Sequence, residues 1–156
     1  MTRGQGHLLI VWHDSHLTGI KILDEQHRAF VSIVNSLHFM LSDREAGNTD
    51  LQPATILQPV YEMLMGYTKI HFKTEIQMLR FSDYPLVYEH KALHDRFLFD
   101  ADRIYNSCLK DGEDMEQFLA FLKEFWQKHI LHRDKAYSEH LVEFFLSHQR
   151  IIKKNR

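Results

Sequence analysis

The sequence predicts an all-α protein: an up-down-up-down four-helix bundle with an N-terminal arm and a C-terminal helical extension. Three observations carry that expectation. Apolar residues recur three and four positions apart through four long stretches, the spacing of one helix face. The breaks between the stretches are short and polar, which makes consecutive helices antiparallel neighbours. No stretch alternates apolar and polar residues, so nothing reads as a strand.

An apolar-led arm covers about residues 7–19. The first helix occupies about residues 24–41, on Phe30, Ile33, Val34, Leu37 and Leu41, with Asp24 as its N-cap just ahead of His27. Residues 42–53 are polar and read as a loop. The second helix spans about residues 54–80, on Leu57, Val60, Leu64, Tyr67, His71, Glu75 and Met78. Pro59 falls early enough in it to be tolerated. Ser82-Asp83-Tyr84-Pro85 is a turn, and Pro85 suits the first position of a third helix that ends near Leu109. The face of that helix is Leu86, His90, Leu93, His94, Phe97, Ala101, Ile104 and Cys108. Residues 110–114 break the pattern. Asp114 and Gln117 are spaced as a capping box for a fourth helix through Phe118, Leu122, Phe125, Trp126 and His129. Past Asp134 the pattern runs on through Tyr137, Leu141, Phe144, Phe145 and Leu146, as the rest of the fourth helix or as a short fifth one. A single domain, residues 1–156, is expected, with the bundle at about 20–134 and the extension at 135–156.

Composition narrows the function. A chain of 156 residues is long enough for a real core. With 26% charged residues and a net charge of −2, nothing argues for a nucleic-acid surface. The basic stretch at residues 150–156 reads as a solvated helix end. Cys108 is the single cysteine, which excludes an intramolecular disulfide and a thiolate metal cluster. The apolar run at residues 8–12 is too short for a signal sequence or a membrane span, so a reducing, cytoplasmic setting is the default. The chain holds 12 histidines, well above an average share, and histidine is the commonest metal ligand.

His71 and Glu75 lie four residues apart, as do His90 and His94, so each pair projects from one helix face. A lone His27 precedes them. His129 and Asp134 are five apart, about 140° round an ideal helix. His132 is therefore a geometric rival for Asp134, although local unwinding or a π-bulge would bring Asp134 round. Any one of these residues, taken alone, reads more readily as a hydrogen-bonded core residue than as a ligand. A buried imidazole or carboxylate without a partner costs several kcal/mol in order of magnitude, so the whole set demands a shared partner. Seven such residues on four helices outline a two-metal centre.

Other residues read more plainly. Trp12 and Trp126 either screen the pocket or pack in the core, and Phe30, Phe72 and Phe97 read as a dry wall beside the candidate ligands, at positions that core packing predicts equally. His7, His13, His16, His38, His132, His140 and His148 read as surface or satisfied residues. Met63, Met65 and Met78 read as core filling. No Ser-His-Asp arrangement or phosphate loop is evident.

On these residues the chain resembles the hemerythrin family, specifically the bacterial hemerythrin-like proteins, over about residues 12–134. The resemblance rests on Trp12, the segment Leu23-Asp24-Glu25-Gln26-His27, and His71-Phe72 with Glu75. It rests also on Tyr84-Pro85 followed by His90 and His94, and on His129-Ile130 with Asp134. It implies two iron ions, one held by His90, His94 and His129, the other by His27 and His71. Glu75 and Asp134 would bridge them, with an oxo or hydroxo group as third bridge. The sequence departs from the family pattern at Ile76, where an acidic residue often follows the bridging glutamate, and in a longer loop before the second helix.

Five imidazoles, two bidentate carboxylates and one single-atom bridge fill eleven of the twelve positions on two octahedral metals. The open position falls on the two-histidine iron, where O2 or NO would sit. The set lacks the Glu-x-x-His motifs of carboxylate-rich di-iron proteins, which favours binding O2 and releasing it over splitting it. Zinc is disfavoured by the number of ligands, while manganese stays open. The leading expectation is reversible O2 binding for storage or delivery, without turnover. The second is a sensor of O2, NO or redox state that signals through the C-terminal helix to a partner or an attached output domain. The third is a peroxidase-like or NO-reducing enzyme. A homodimer is also compatible with the sequence, whereas nucleic-acid and membrane partners are not expected.

Overall fold

The computed structural model describes residues 7–47, 53–111 and 115–154. A short 3-10 turn at Asp14–His16 precedes α1 (Lys21–Glu45), α2 (Pro53–Phe81), α3 (Val87–Asp111) and α4 (Glu116–Phe125). A π-helical segment, Trp126–Asp134, then joins α4 to α5 (Lys135–Lys154) with no break between them. Consecutive helices pack against each other and α4 returns to α1, which closes a four-helix bundle. Among the described residues there is no strand, and no helix is long and apolar enough to cross a membrane.

The entry into α1 differs from the sequence expectation. Asp24 is not the N-cap: α1 begins at Lys21, and the Asp24 amide already bonds to the Ile20 carbonyl. Its buried carboxylate instead accepts hydrogen bonds from the Thr18 amide and hydroxyl, both at 2.7 Å, and from the Gly19 amide at 3.2 Å. Gly19 makes this possible with φ of 85°, a conformation that folds the arm back over the first turn. Farther out, the arm is strapped to α1 by Asn35, whose side chain bonds both the amide and the carbonyl of buried Ile10.

The start of α3 also shifts. The α2 terminus closes with Tyr84 N–H to the Leu79 carbonyl and Asp83 N–H to the Arg80 carbonyl, with Asp83 at φ 53°. This is a Schellman closure. It consumes the residues up to Tyr84, so Pro85 lies in the following turn and α3 begins at Val87 rather than at the proline. Leu86, Leu93 and Met63, expected inside, are exposed. The capping box through Asp114 and the side chains of the basic end lie outside the described residues.

Two apolar clusters frame the interior. The larger joins α1 to α4 through Phe30, Val34, Leu64, Phe97, Phe118 and Leu122. The smaller joins Leu23, Ile76, Leu79 and Val87 to Tyr137 and Leu141 of α5. Each fully buried leucine in them contributes about 1.5–3 kcal/mol of burial. His27, His71, Glu75, His90, His94, His129 and Asp134 fall between the two clusters, so the fold holds a polar layer enclosed by apolar ones.

Candidate metal centre

All seven candidate residues are buried, and the structure brings them together. Glu75, His90, His94, His129 and Asp134 form one group, and His27, His71 and Asp134 form a second. Within each group the ligand-type atoms lie within 4.8 Å of one another. Asp134 belongs to both. Its Oδ2 is 3.1 Å from His27 Nε2, while its Oδ1 is 3.1 Å from His129 Nε2 and 3.3 Å from His90 Nε2. Glu75 directs Oε2 to His94 at 2.9 Å and His90 at 3.3 Å, with His71 at 3.9 Å.

The π-helical segment is what admits Asp134. Its i→i+5 bonding brings residues five apart nearly over one another, removing the offset an α-helix would impose. His132 is exposed, and its Nδ1–H donates to the Gln127 carbonyl at 2.7 Å. The rival ligand therefore points away from the cluster.

Whether these residues fit a metal can be judged from their unmet bonding. His27 Nε2, His71 Nε2, His90 Nε2, Glu75 Oε2 and both Asp134 oxygens are buried without a hydrogen-bond partner. Their neighbours are close but not oriented as donor and acceptor. Buried polar atoms rarely stay unsatisfied, and several converging at one place indicate a cation site. Two neighbouring metal bonds of about 2.1 Å at right angles put their donor atoms about 3 Å apart. The separation of His94 Nε2 and His129 Nε2 is 3.0 Å.

The electrostatics are those of a charge-rich pocket. Burial pushes Glu75 and Asp134 upward, but the surrounding histidines outweigh it and hold both carboxyls well below the usual range. Burial pushes His71 down to about 4. It also acts to lower His90, where Asp134 and Glu75 prevail and raise it to about 9. Both carboxylates are thus ready to bind a cation.

Two supporting residues were not singled out from sequence. Gln26 Oε1 accepts from His71 Nδ1 at 3.0 Å, which fixes the tautomer that leaves Nε2 free for a metal. Tyr137 donates its hydroxyl to Glu75 Oε1. In the sequence Gln26 stands only as a neighbour of His27 in the segment that carries the resemblance, and Tyr137 only as part of the apolar pattern one helix turn past Asp134. Aromatic rings close the site: Phe72 lies flat on His94, with centroids 3.7 Å apart, and Phe125 lies over His129 at 4.7 Å. Trp126 meets His27 edge-on and carries Trp12 and His16 on its outer side.

An all-helical bundle that buries five imidazoles and two carboxylates in one cluster is a bundle protein with a site able to hold metal. Residues 18–141 match the family model described as the hemerythrin HHE cation binding domain. The chain belongs to the hemerythrin family. It is 30% identical over 146 residues to a bacteriohemerythrin of Stenotrophomonas maltophilia (strain R551-3), covering 90% of each chain. A bacteriohemerythrin of Pseudomonas aeruginosa (strain LESB58) is 30% identical over 129 residues, 82% of this chain and 78% of that one. The fold is similar to the crystal structure of a hemerythrin point mutant, with a TM-score of 0.73 and 21% identity over 86% of this chain and 98% of that one.

Proposed function

We propose that the chain is a non-haem di-iron protein that binds O2 or NO reversibly for oxygen storage or delivery. His90, His94 and His129 would hold one iron, His27 and His71 the other, and Glu75 and Asp134 would bridge them. The observation that carries this reading is the placing of Asp134, with one oxygen toward His27 and the other toward His90 and His129. Two irons, when bound, supply reversible coordination of a diatomic ligand at the one position left unfilled.

The chain's own residues supply orientation and dryness. Gln26 holds the His71 ring by its Nδ1–H, and Tyr137 steadies the Glu75 carboxylate. Phe72, Phe125 and Trp126 keep bulk water from His94, His129 and His27, which would slow autoxidation of the site. A ligand set rich in neutral imidazoles favours binding over turnover, so the chain is read as a carrier and not as a catalyst. The buried, single Cys108 agrees with a cytoplasmic setting. Exposure of the anaerobically reduced protein to O2, followed by its removal, tests the reading. A spectrum that appears and then disappears over repeated cycles supports it, and irreversible oxidation in the first cycle contradicts it.

A second reading, an O2, NO or redox sensor, is favoured by one contact. Tyr137 lies on α5, which continues from Asp134 without a break, so a change at Glu75 reaches α5 directly. That helix would then signal to a partner, an attached output domain or a second copy. Hydrogen exchange along α5 in the oxidised and reduced protein separates the two roles. Equal protection in both states excludes signalling through α5.

A further inference from the structure

On the outer face of the bundle, α2 and α3 enclose a groove of about 340 Å3. Lys69, Lys73 and Arg80 of α2 line it and are exposed, and no ion pair engages them among the described residues. They recur at i, i+4 and i+11, forming one stripe that extends about 16 Å along the helix. Lys91 and Asp95 face them from α3 and neutralise each other. The chain as a whole carries a net charge of −2, so this basic stripe runs against its overall balance. Beneath it lie Phe72 and His94, stacked 3.7 Å apart with an interplanar angle of 3°. His94 Nε2 in turn is 2.9 Å from Glu75 in the buried cluster. The cations therefore run beside a place where Phe72 and His94, a member of the buried cluster, themselves line the surface groove.

We propose that this face docks an acidic one-electron carrier protein, which passes electrons by way of Phe72 and His94 to the metal site. The proposal rests on the di-iron reading. Cations spread over about 16 Å suit an acidic protein surface better than one small anion, and unpaired charges of this kind steer transient encounters. Each encounter moves one electron and leaves the carrier oxidised by one. Two reduced carriers thus return two ferric ions to ferrous, with no covalent bond to the chain made or broken.

The test uses a reduced, acidic [2Fe–2S] ferredoxin as probe. The bimolecular rate of reduction of the ferric protein is followed over a range of salt concentrations, and calorimetry measures binding of the oxidised ferredoxin. The wild-type rate should fall steeply with salt. Lys69→Glu/Lys73→Glu/Arg80→Glu should slow it about tenfold or more at low salt and turn its fall with salt into a rise. Lys21→Glu/Arg103→Glu/Lys123→Glu changes the net charge equally on other faces and should leave most of the rate. Equal slowing by both triple variants, or by neither, would overturn the proposal. So would saturable binding of inorganic phosphate at the stripe without ferredoxin binding. The milder Lys69→Gln/Lys73→Gln variant, matched to wild type by circular dichroism, separates charge loss from misfolding. Calorimetric binding that is lost in the first triple variant supports docking even if no reducible iron pair forms, so failure of the di-iron reading stays distinguishable.

Discussion

Tyr137 on α5 donates its hydroxyl hydrogen bond to Glu75 on α2, and both side chains are fully buried. The contact ties the last helix to a carboxylate of the candidate metal site and closes the bundle over it. Tyr137→Phe leaves Glu75 Oε1 without its donor. A hydrogen bond to a charged group contributes about 1.5–3 kcal/mol, so the variant should unfold at lower denaturant than wild type. Loss of a residue that orients a ligand should also weaken iron binding about 10–100-fold. Unchanged stability together with unchanged iron affinity would show that the bond does neither.

The π-helical segment makes a sharp distinction between two residues that the sequence leaves as rivals. Asp134→Asn should lose most bound iron, because Asp134 faces both histidine groups. His132→Ala should retain wild-type iron content and spectrum, because His132 faces solvent. Metal analysis of the two purified variants decides the matter, and equal losses would contradict the placing of the π segment.

Without metal, stability should depend on pH in a way set by the cluster. His90 has a folded pKa of about 9, above the value of about 6.5 expected when unfolded. Its contribution is therefore complete below about pH 6.5 and is lost as pH rises through 9. Glu75 and Asp134 are depressed, so their contribution is present above the ordinary carboxylate range and is lost as pH falls through it. His71, lowered by burial to about 4, also removes stability as pH falls from about 6.5. Urea midpoints of the chelator-treated protein should therefore decline between about pH 6.5 and 9.5. With metal bound, the midpoint should be higher throughout, since a ligand that binds only the folded chain stabilises it. A metal-free midpoint that rises across that alkaline interval would contradict the His90 environment.

Much of this architecture is legible in the chain because helix periodicity is local. His71 with Glu75, and His90 with His94, declare a shared face by their spacing alone, and the apolar residues around them declare that face buried. What escapes depends on tertiary partners. Asp24 has the residue type of an N-cap, yet its partners Thr18 and Gly19 come from a fold-back that Gly19 allows. Pro85 has the preference for a helix start, but the Schellman closure of α2 displaces that start to Val87. Gln26 and Tyr137 reach partners 45 and 62 residues away, a distance that no spacing rule covers.

The central claim is that one chain holds two irons sharing Glu75 and Asp134. Iron content per chain, measured with Mössbauer and electron paramagnetic resonance spectra of the ferric protein, tests it most directly. Two irons per chain, magnetically coupled and silent in the resonance spectrum, are the expected result. One iron per chain, or an isolated high-spin ferric signal accounting for the bound metal, would contradict it.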